Sequence, residues 1–281
     1  MRKAICHYSF HRRYAEEKWD PKRLVREVRA LGVEGIDFHA RLLGIPPPQA
    51  AAVIRDALAG SGLTLSGFSL GNDFNQEDPA AFRAQVDAVK GWLPVAAEIG
   101  APVSRIFGGH LPYDKRQDPA AKAKGRQRIL DGLAEVVRVA EKLGVVLALE
   151  NHGGLPCTGE EQVEVLRVIN SRCLKATIDV GNYLSGGQEG HVGTAIAAAD
   201  AAYVHFKDYK KVADPTAPYG RKLVSCVVGQ GDVDHRACLR ALMKSGYTGF
   251  IALEYEGIES EVTGVPQSVA FMNEVMSEPT P

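Results

Sequence analysis

The sequence predicts an α/β fold and, within that class, a single-domain (β/α)8 barrel. Three observations carry this. One phrase recurs along the 281 residues: an amphipathic segment, a glycine, then a short apolar run. Leu31-Gly32 leads into Val33–Phe38, Ser61-Gly62 into Leu63–Phe68, and Ile99-Gly100 into Pro102–Phe107. Leu143-Gly144 leads into Val145–Glu150 and Ser245-Gly246 into Gly249–Glu254. Glycine just past a helix end is the usual left-handed cap, so the phrase reads helix, cap, strand, and its repetition means βα units around a parallel sheet. The runs are also apolar on both faces, as strands in the middle of a parallel sheet or barrel are. Finally, eight of them can be counted: Ala4–His7, Ile36–Phe38, Leu63–Ser69, Val103–Phe107, Val145–Glu150, Leu174–Asp179, Tyr203–Lys207 and Phe250–Glu254. Eight strands favour a closed barrel. The alternative is an open doubly wound sheet, but its main cofactor signal, GxGxxG after the first strand, is absent.

The helices follow in order. Asp20-Pro21 reads as an N-cap with proline at the first helical position, and Leu24, Val25, Val28 and Leu31 then share one face. Asp78-Pro79 and Asp118-Pro119 repeat the cap, and Pro94 within 80–99 predicts a kink or a split. Ile129, Leu133, Val136, Val137 and Ala140 form one stripe, and Thr158 with Glu161 reads as a capping box opening Glu160–Ile169. The longest irregular stretch, Val212–Asp234, is rich in Pro, Gly, Lys and Arg and predicts a loop over the site. The barrel is expected to occupy residues 1–276, with 277–281 a disordered tail.

Composition narrows the class. Lys plus Arg is 33 and Asp plus Glu is 34, a net charge of −1, so nothing advertises a nucleic-acid or anionic-membrane surface. Cys6, Cys157, Cys173, Cys226 and Cys238 are odd in number and form no CxxC pair, which reads as reduced thiols. The opening MRKAICHYSFHRR has no apolar core of signal-peptide length, and no membrane-length apolar run occurs anywhere. A cytoplasmic enzyme of small molecules, with no membrane or nucleic-acid partner, is expected; a homo-oligomer stays open.

The chemistry is written at strand ends. VVLALE stops on Glu150, LKATID on Asp179, AYVH on His205 and FIALE on Glu254. In a barrel the carboxyl ends of consecutive strands surround one mouth, where such folds build their sites. Three carboxylates and one imidazole form an oxygen-rich set suited to Mn²⁺, Mg²⁺ or Co²⁺. Without a cation, clustered carboxylates repel one another. Singly, Glu254 or Asp179 reads as a helix cap and His205 as a core histidine; four at equivalent positions do not. A cation chelating a ketose carbonyl and its neighbouring hydroxyl stabilises the enediolate left by loss of the α-proton, and carboxylates flanking it move the proton. Lys207, on the same strand face as His205, suits charge stabilisation, with a surface lysine as the plain alternative. His7, Asp37, His39 and His110 fall near the mouth as candidate contacts to substrate hydroxyls, and His152, two residues past Glu150, is the strongest of the extra histidines. Gly108-Gly109 would let backbone amides approach a phosphate. Lys210, Lys211, Arg221 and Lys222 would greet an anionic substrate or simply form a solvated surface.

LENHGG (Leu149–Gly154), IDVGNY (Ile178–Tyr183), VHFKDY (Val204–Tyr209), VVGQGDVD (Val227–Asp234) and ALEYEG (Ala252–Gly257) are, in order and spacing, similar to motifs of a known family. The chain resembles the xylose isomerase-like TIM barrels of the sugar (phosphate) isomerase/epimerase superfamily. The resemblance implies that Glu150, Asp179, His205 and Glu254 hold one divalent metal, Mn²⁺ first, with Mg²⁺, Co²⁺ or Zn²⁺ as alternatives. In the family's ketose 3-epimerases the glutamates matching Glu150 and Glu254 also exchange the proton. One position departs: many members, the abasic-site nuclease among them, carry a histidine three residues after the strand-six aspartate, where this chain has Asn182. An amide is a poor zinc ligand, which disfavours the three-zinc nuclease. The expected activity is therefore a divalent-metal-dependent epimerase or isomerase acting on a keto-sugar or sugar derivative, with Glu150, Glu254, His152 and Lys207 as catalytic groups. His7, Asp37, His110 and Asn182 are the expected substrate contacts. The alternative is a metal-dependent lyase of the same barrel, a dehydratase or a 3-keto-glycoside-cleaving β-elimination enzyme.

Overall fold

The structure is a computed structural model and describes residues 1–278. Eight parallel strands close on themselves: β1 (Arg2–Cys6), β2 (Gly35–His39), β3 (Thr64–Ser69), β4 (Ser104–Phe107), β5 (Leu147–Glu150), β6 (Leu174–Asp179), β7 (Ala201–Phe206) and β8 (Phe250–Leu253). β8 returns to β1 in register, Arg2 opposite Phe250 and Ile5 opposite Leu253, so no edge remains and the open-sheet alternative is excluded. The outer ring is α1 (Pro21–Ala30), α2 (Pro47–Leu58), α3 (Pro79–Glu98), α4 (Pro119–Leu143), α5 (Gly159–Ile169), α6 (Gly190–Ala197), α7 (His235–Lys244) and α8 (Glu261–Ser277).

Local chemistry explains the boundaries. Asp20, Asp78 and Asp118 each accept backbone N–H bonds from the first turn of α1, α3 and α4, with proline following each cap. Gly32, Gly62, Gly100, Gly144 and Gly246, the glycines of the recurring phrase, all have φ between +63° and +78°. Thr158 caps α5 by accepting the Glu161 N–H. Glu161, however, reaches past the cap residue to the Cys157 N–H and to Lys122, so the capping box closes one residue early.

Two cores result. The larger lies between strands and helices. The smaller plugs the lumen with Ala4, Val103, Ala148, Tyr203, Phe250 and Ala252. Gly35 faces this plug, and a Cβ there would come within 2.6 Å of Phe250. Side chains repeat a strand face every second residue. Two residues after Ala4, Val103, Ala148, Tyr203 and Ala252 stand Cys6, Arg105, Glu150, His205 and Glu254. One pleat therefore separates an apolar plug from a layer of thiol, charge and imidazole.

Three expectations are corrected. Of the kink or split expected at Pro94, the split does not occur: α3 is one helix from Pro79 to Glu98, with Leu93, Val95 and Ala96 around the proline buried. Val212–Asp234 is not irregular throughout. Tyr209–Ala213 pairs antiparallel with Arg221–Ser225, and Tyr113 donates its hydroxyl to Pro218 O and Arg221 O, tying this hairpin down. The chain after the hairpin wraps Asp208, whose carboxylate accepts the N–H groups of Tyr209, Gly229, Gly231 and Val233. A Cβ on Gly231 would collide with that carboxylate. Ser277, assigned to a disordered tail, closes α8, and Glu278 accepts from Arg236 at 3.0 Å. Residues 279–281 of that expected tail lie outside the described residues. All five cysteines are free thiols, and no helix among the described residues is long and apolar enough to cross a membrane.

Candidate active site

Glu150 and Asp179 are the last residues of β5 and β6, His205 is next to last in β7, and Glu254 follows β8. Adjacent strands set them side by side, Asp179 directly opposite His205. One ligand-type atom from each of the four lies within 4.8 Å of the others. His205 Nδ1 sits 3.7 Å from Glu150 Oε2 and 3.7 Å from Glu254 Oε1. Asp179 Oδ2 and His205 Nδ1 are buried and lack hydrogen-bond partners among the described residues. Buried polar atoms are ordinarily satisfied, so oxygen-rich donors converging with free lone pairs fit a divalent cation.

The surroundings are charged and dry. Lys207, two residues past His205, is 1% exposed, so the surface-lysine alternative fails. Its Nζ lies 2.8 Å from Glu254 Oε2, 3.2 Å from Glu256 Oε1 and 3.6 Å from Asp179 Oδ2. Burial alone would raise the Glu254 pKa, but Lys207 and His205 outweigh it and hold that carboxyl well below the usual range. Burial pushes Glu150 up against the pull of Arg105, and pushes Asp179 up to about 8 against Lys207. These two acids are the ones a cation would relieve most.

A cavity of about 400 Å³ opens beside this cluster, lined among others by Tyr8, His11, Arg41, Phe107, His152 and Glu254. His152 stacks on Phe107 at 4.0 Å, and burial keeps its pKa down at about 3, a neutral imidazole facing the cavity. The other expected contacts are placed differently. Asn182 is buried beside the ligands. Its Nδ2 donates to Glu150 Oε1 at 3.1 Å and its Oδ1 accepts from the Tyr209 hydroxyl, so its side chain serves Glu150 first. Asp37 is fully buried, turned into the lumen, and bound to Ser69 rather than to the cavity. His7 packs edge-on against Tyr14 at 4.3 Å behind the wall, its pKa pushed down to about 3 by burial. His110 is exposed on a two-residue strand paired with Gly154–Leu155, away from the cavity lining. His39 does line the cavity. Gly108 and Gly109 serve packing, because a Cβ on either would strike Leu155 O or Asn75. Lys211 and Lys222 are spent on Glu189 and Asp214.

Sequence reasoning missed Arg105 and Glu256. Arg105 is 1% exposed, with Nε 3.1 Å from Glu150 Oε2, Nη1 donating to Leu70 O, and its guanidinium 4.0 Å above Phe107. An arginine inside a strand on the inward face was the available signal.

This geometry can be set against known proteins. A family model described as xylose isomerase-like TIM barrel matches residues 25–275. The chain belongs to that family. It is 25% identical over 179 residues to the L-ribulose-5-phosphate 3-epimerase UlaE of Salmonella typhi, covering 63% of this chain and 58% of that one. The chain thus spans less than two thirds of that relative's length. It is 23% identical over 252 residues to the inosose dehydratase of Geobacillus kaustophilus, covering 83% and 79%. A xylose isomerase-like TIM barrel protein from Mycobacterium smegmatis, solved in complex with magnesium, superposes with a TM-score of 0.74 at 19% identity, covering 98% of this chain and 96% of the other. That likeness speaks for the fold.

Proposed function

We propose that the protein is a divalent-metal-dependent epimerase or isomerase that moves a proton on a keto-sugar or sugar derivative. The observation that carries this reading is the convergence of Glu150, Asp179, His205 and Glu254 within 4.8 Å, beside a cavity that Glu254 itself lines. These four would hold the cation. Mn²⁺ is the first candidate on the oxygen-rich donor set; Mg²⁺, which the Mycobacterium smegmatis relative in fold carries, is the second, with Co²⁺ and Zn²⁺ behind. When bound, the cation supplies Lewis acidity toward a ketose carbonyl.

The chain's own groups do the rest. Glu254, reaching the cavity, takes the proton from carbon, and Glu150, across His205 Nδ1 from it, returns one. Lys207 stands against Glu254 and Glu256 as a fixed cation where negative charge grows on substrate oxygen. Phe107 and His152 offer a stacked apolar face to the sugar ring and exclude water. The relatedness to UlaE supports epimerisation; the relatedness to inosose dehydratase supports the second reading, a lyase in which the same proton abstraction expels a leaving group.

The test is incubation of the Mn²⁺-loaded protein in D2O with ketoses, ketose phosphates, inososes and 3-keto-glycosides, followed by NMR of the recovered small molecules. Deuterium in a recovered sugar and in its epimer or isomer is the expected result. A dehydrated product or released aglycone without an epimer transfers the assignment to the lyase. No deuterium in any compound sinks proton abstraction as the activity.

A further inference from the structure

We propose that Asp37 is a positioning residue for His205: its carboxylate holds the imidazole proton on Nε2, so that the Nδ1 lone pair faces the gap between Glu150 and Glu254. The inference rests on the metal-dependent reading above. His205 presents Nδ1 to those two glutamates at 3.7 Å each, and Nε2 to Asp37 Oδ2 at 3.9 Å. Asp37 and His205 are both fully buried, and neither ring nitrogen has a hydrogen-bond partner among the described residues.

Asp37 cannot swing away. Ser69 donates its backbone N–H to Oδ1 at 3.1 Å and its hydroxyl to Oδ2 at 2.6 Å. A neutral imidazole has one N–H and one lone pair. With the proton on Nδ1, the ring would aim its lone pair at the Asp37 carboxylate and close its other side to a cation. With the proton on Nε2, both faces are attractive: N–H toward Asp37, lone pair toward the ligand cluster. Asp37 comes from β2 and His205 from β7, so the arrangement crosses the lumen, and it assigns a role to the acid that sequence position alone pointed at substrate. Cys6, Asp37 and His205 also lie within 4.8 Å of one another, which makes Asp37 as a direct ligand the rival interpretation.

Support of this kind for a metal-binding histidine typically changes metal affinity by about 10–100-fold. The experiment measures Mn²⁺ affinity by the EPR signal of free Mn²⁺ for the full chain, for Asp37→Ala and for Asp37→Asn, alongside melting curves. The imidazole ¹⁵N spectrum of the Mg²⁺-loaded wild type is recorded in parallel, His205 being assigned from its loss in His205→Gln. The proposal expects an Asp37→Ala affinity about 10–100-fold weaker, a smaller loss in Asp37→Asn, which keeps an acceptor, and the proton of His205 on Nε2. Should Asp37→Ala not fold, Ser69→Ala, which loosens the carboxylate, is expected to weaken Mn²⁺ binding more modestly. Unchanged affinity in a folded Asp37→Ala with only a lower melting temperature, or a proton on Nδ1, overturns the proposal. Complete loss of binding in both Asp37 variants overturns it in favour of direct ligation. A wild type that binds neither cation removes the metal-dependent reading itself, whereas wild-type binding matched by Asp37→Ala removes only the positioning role.

Discussion

The two halves of the barrel use the same layer differently. In β5–β8 the residues one pleat above the apolar plug include Glu150, His205 and Glu254, which point at a common spot. In β1–β4 the same layer carries Cys6, Asp37 and Arg105, and each of these faces one of those three: Arg105 to Glu150 at 3.1 Å, Asp37 to His205 at 3.9 Å, Cys6 Sγ to Glu254 Oε1 at 3.9 Å. Asp179 is supported instead from its own half, through Asn151 Oδ1 on its N–H and through Gly181 and Asn182 N–H groups on Oδ1. One half presents donors and the other conditions them.

Removing a donor and removing its support should therefore give different phenotypes. Glu254→Gln and Glu150→Gln preserve shape while withdrawing the carboxylate, and turnover in the deuterium-exchange assay is expected to fall about 10²–10⁴-fold while a cooperative melting transition survives, at a lower temperature in Glu150→Gln, which leaves the buried Arg105 without its anion. Near-wild-type rates in either would break the division of labour. Arg105→Met leaves Glu150 buried without its cation and should cost about 3–5 kcal/mol in urea unfolding. A loss below about 1 kcal/mol would place Arg105 among ordinary surface pairs. Asn182→Ala strips a donor from Glu150 and an acceptor from Tyr209, and about 1–3 kcal/mol of destabilisation is expected, measured the same way.

The smallest effect is predicted far from the lumen, on Glu135 of α4, where Arg83 and Lys90 hold its pKa at about 2 against an ordinary 4.5. A depressed acid stabilises the fold above its ordinary pKa and loses that contribution as pH falls toward the folded value. Between about pH 4.5 and 2, Glu135→Gln should thus lose less stability than wild type, by under about 1 kcal/mol because the group is largely solvated. A larger difference would mean that surface pairs rival the buried ones.

The same contrast decides what could be read from the sequence. An apolar run that stops on an acid announces both the strand and its end, so Glu150, Asp179 and Glu254 were visible, and their shared position implied one mouth. The supporting half gives no such mark. Asp37 lies inside β2 and His7 just past β1, which fixes their height along the barrel and not their direction; a shift of one residue turns a side chain to the other face. Asp37 enters the lumen and His7 packs under Tyr14. Arg105 carries no such mark: a charge inside a short strand does not say which face it takes until closure of the barrel turns it to the lumen. The hairpin 209–225 escaped notice because Pro, Gly, Lys and Arg hide two five-residue strands, and the Tyr113 that ties them down comes from a distant part of the chain.

Asp208 has a consequence for the length of chain the barrel rim can carry. By gathering the N–H groups of Tyr209, Gly229, Gly231 and Val233 on one carboxylate, it brings the two ends of a long excursion together at the barrel rim. Once the ends are fixed, doubling the length between them costs only about 0.6 kcal/mol of chain entropy. Chain entropy thus sets almost no limit on the length of this excursion; what holds it over the donor cluster is a few specific contacts, the Tyr113 hydroxyl on Pro218 O and Arg221 O and the Tyr209 hydroxyl on Asn182 Oδ1.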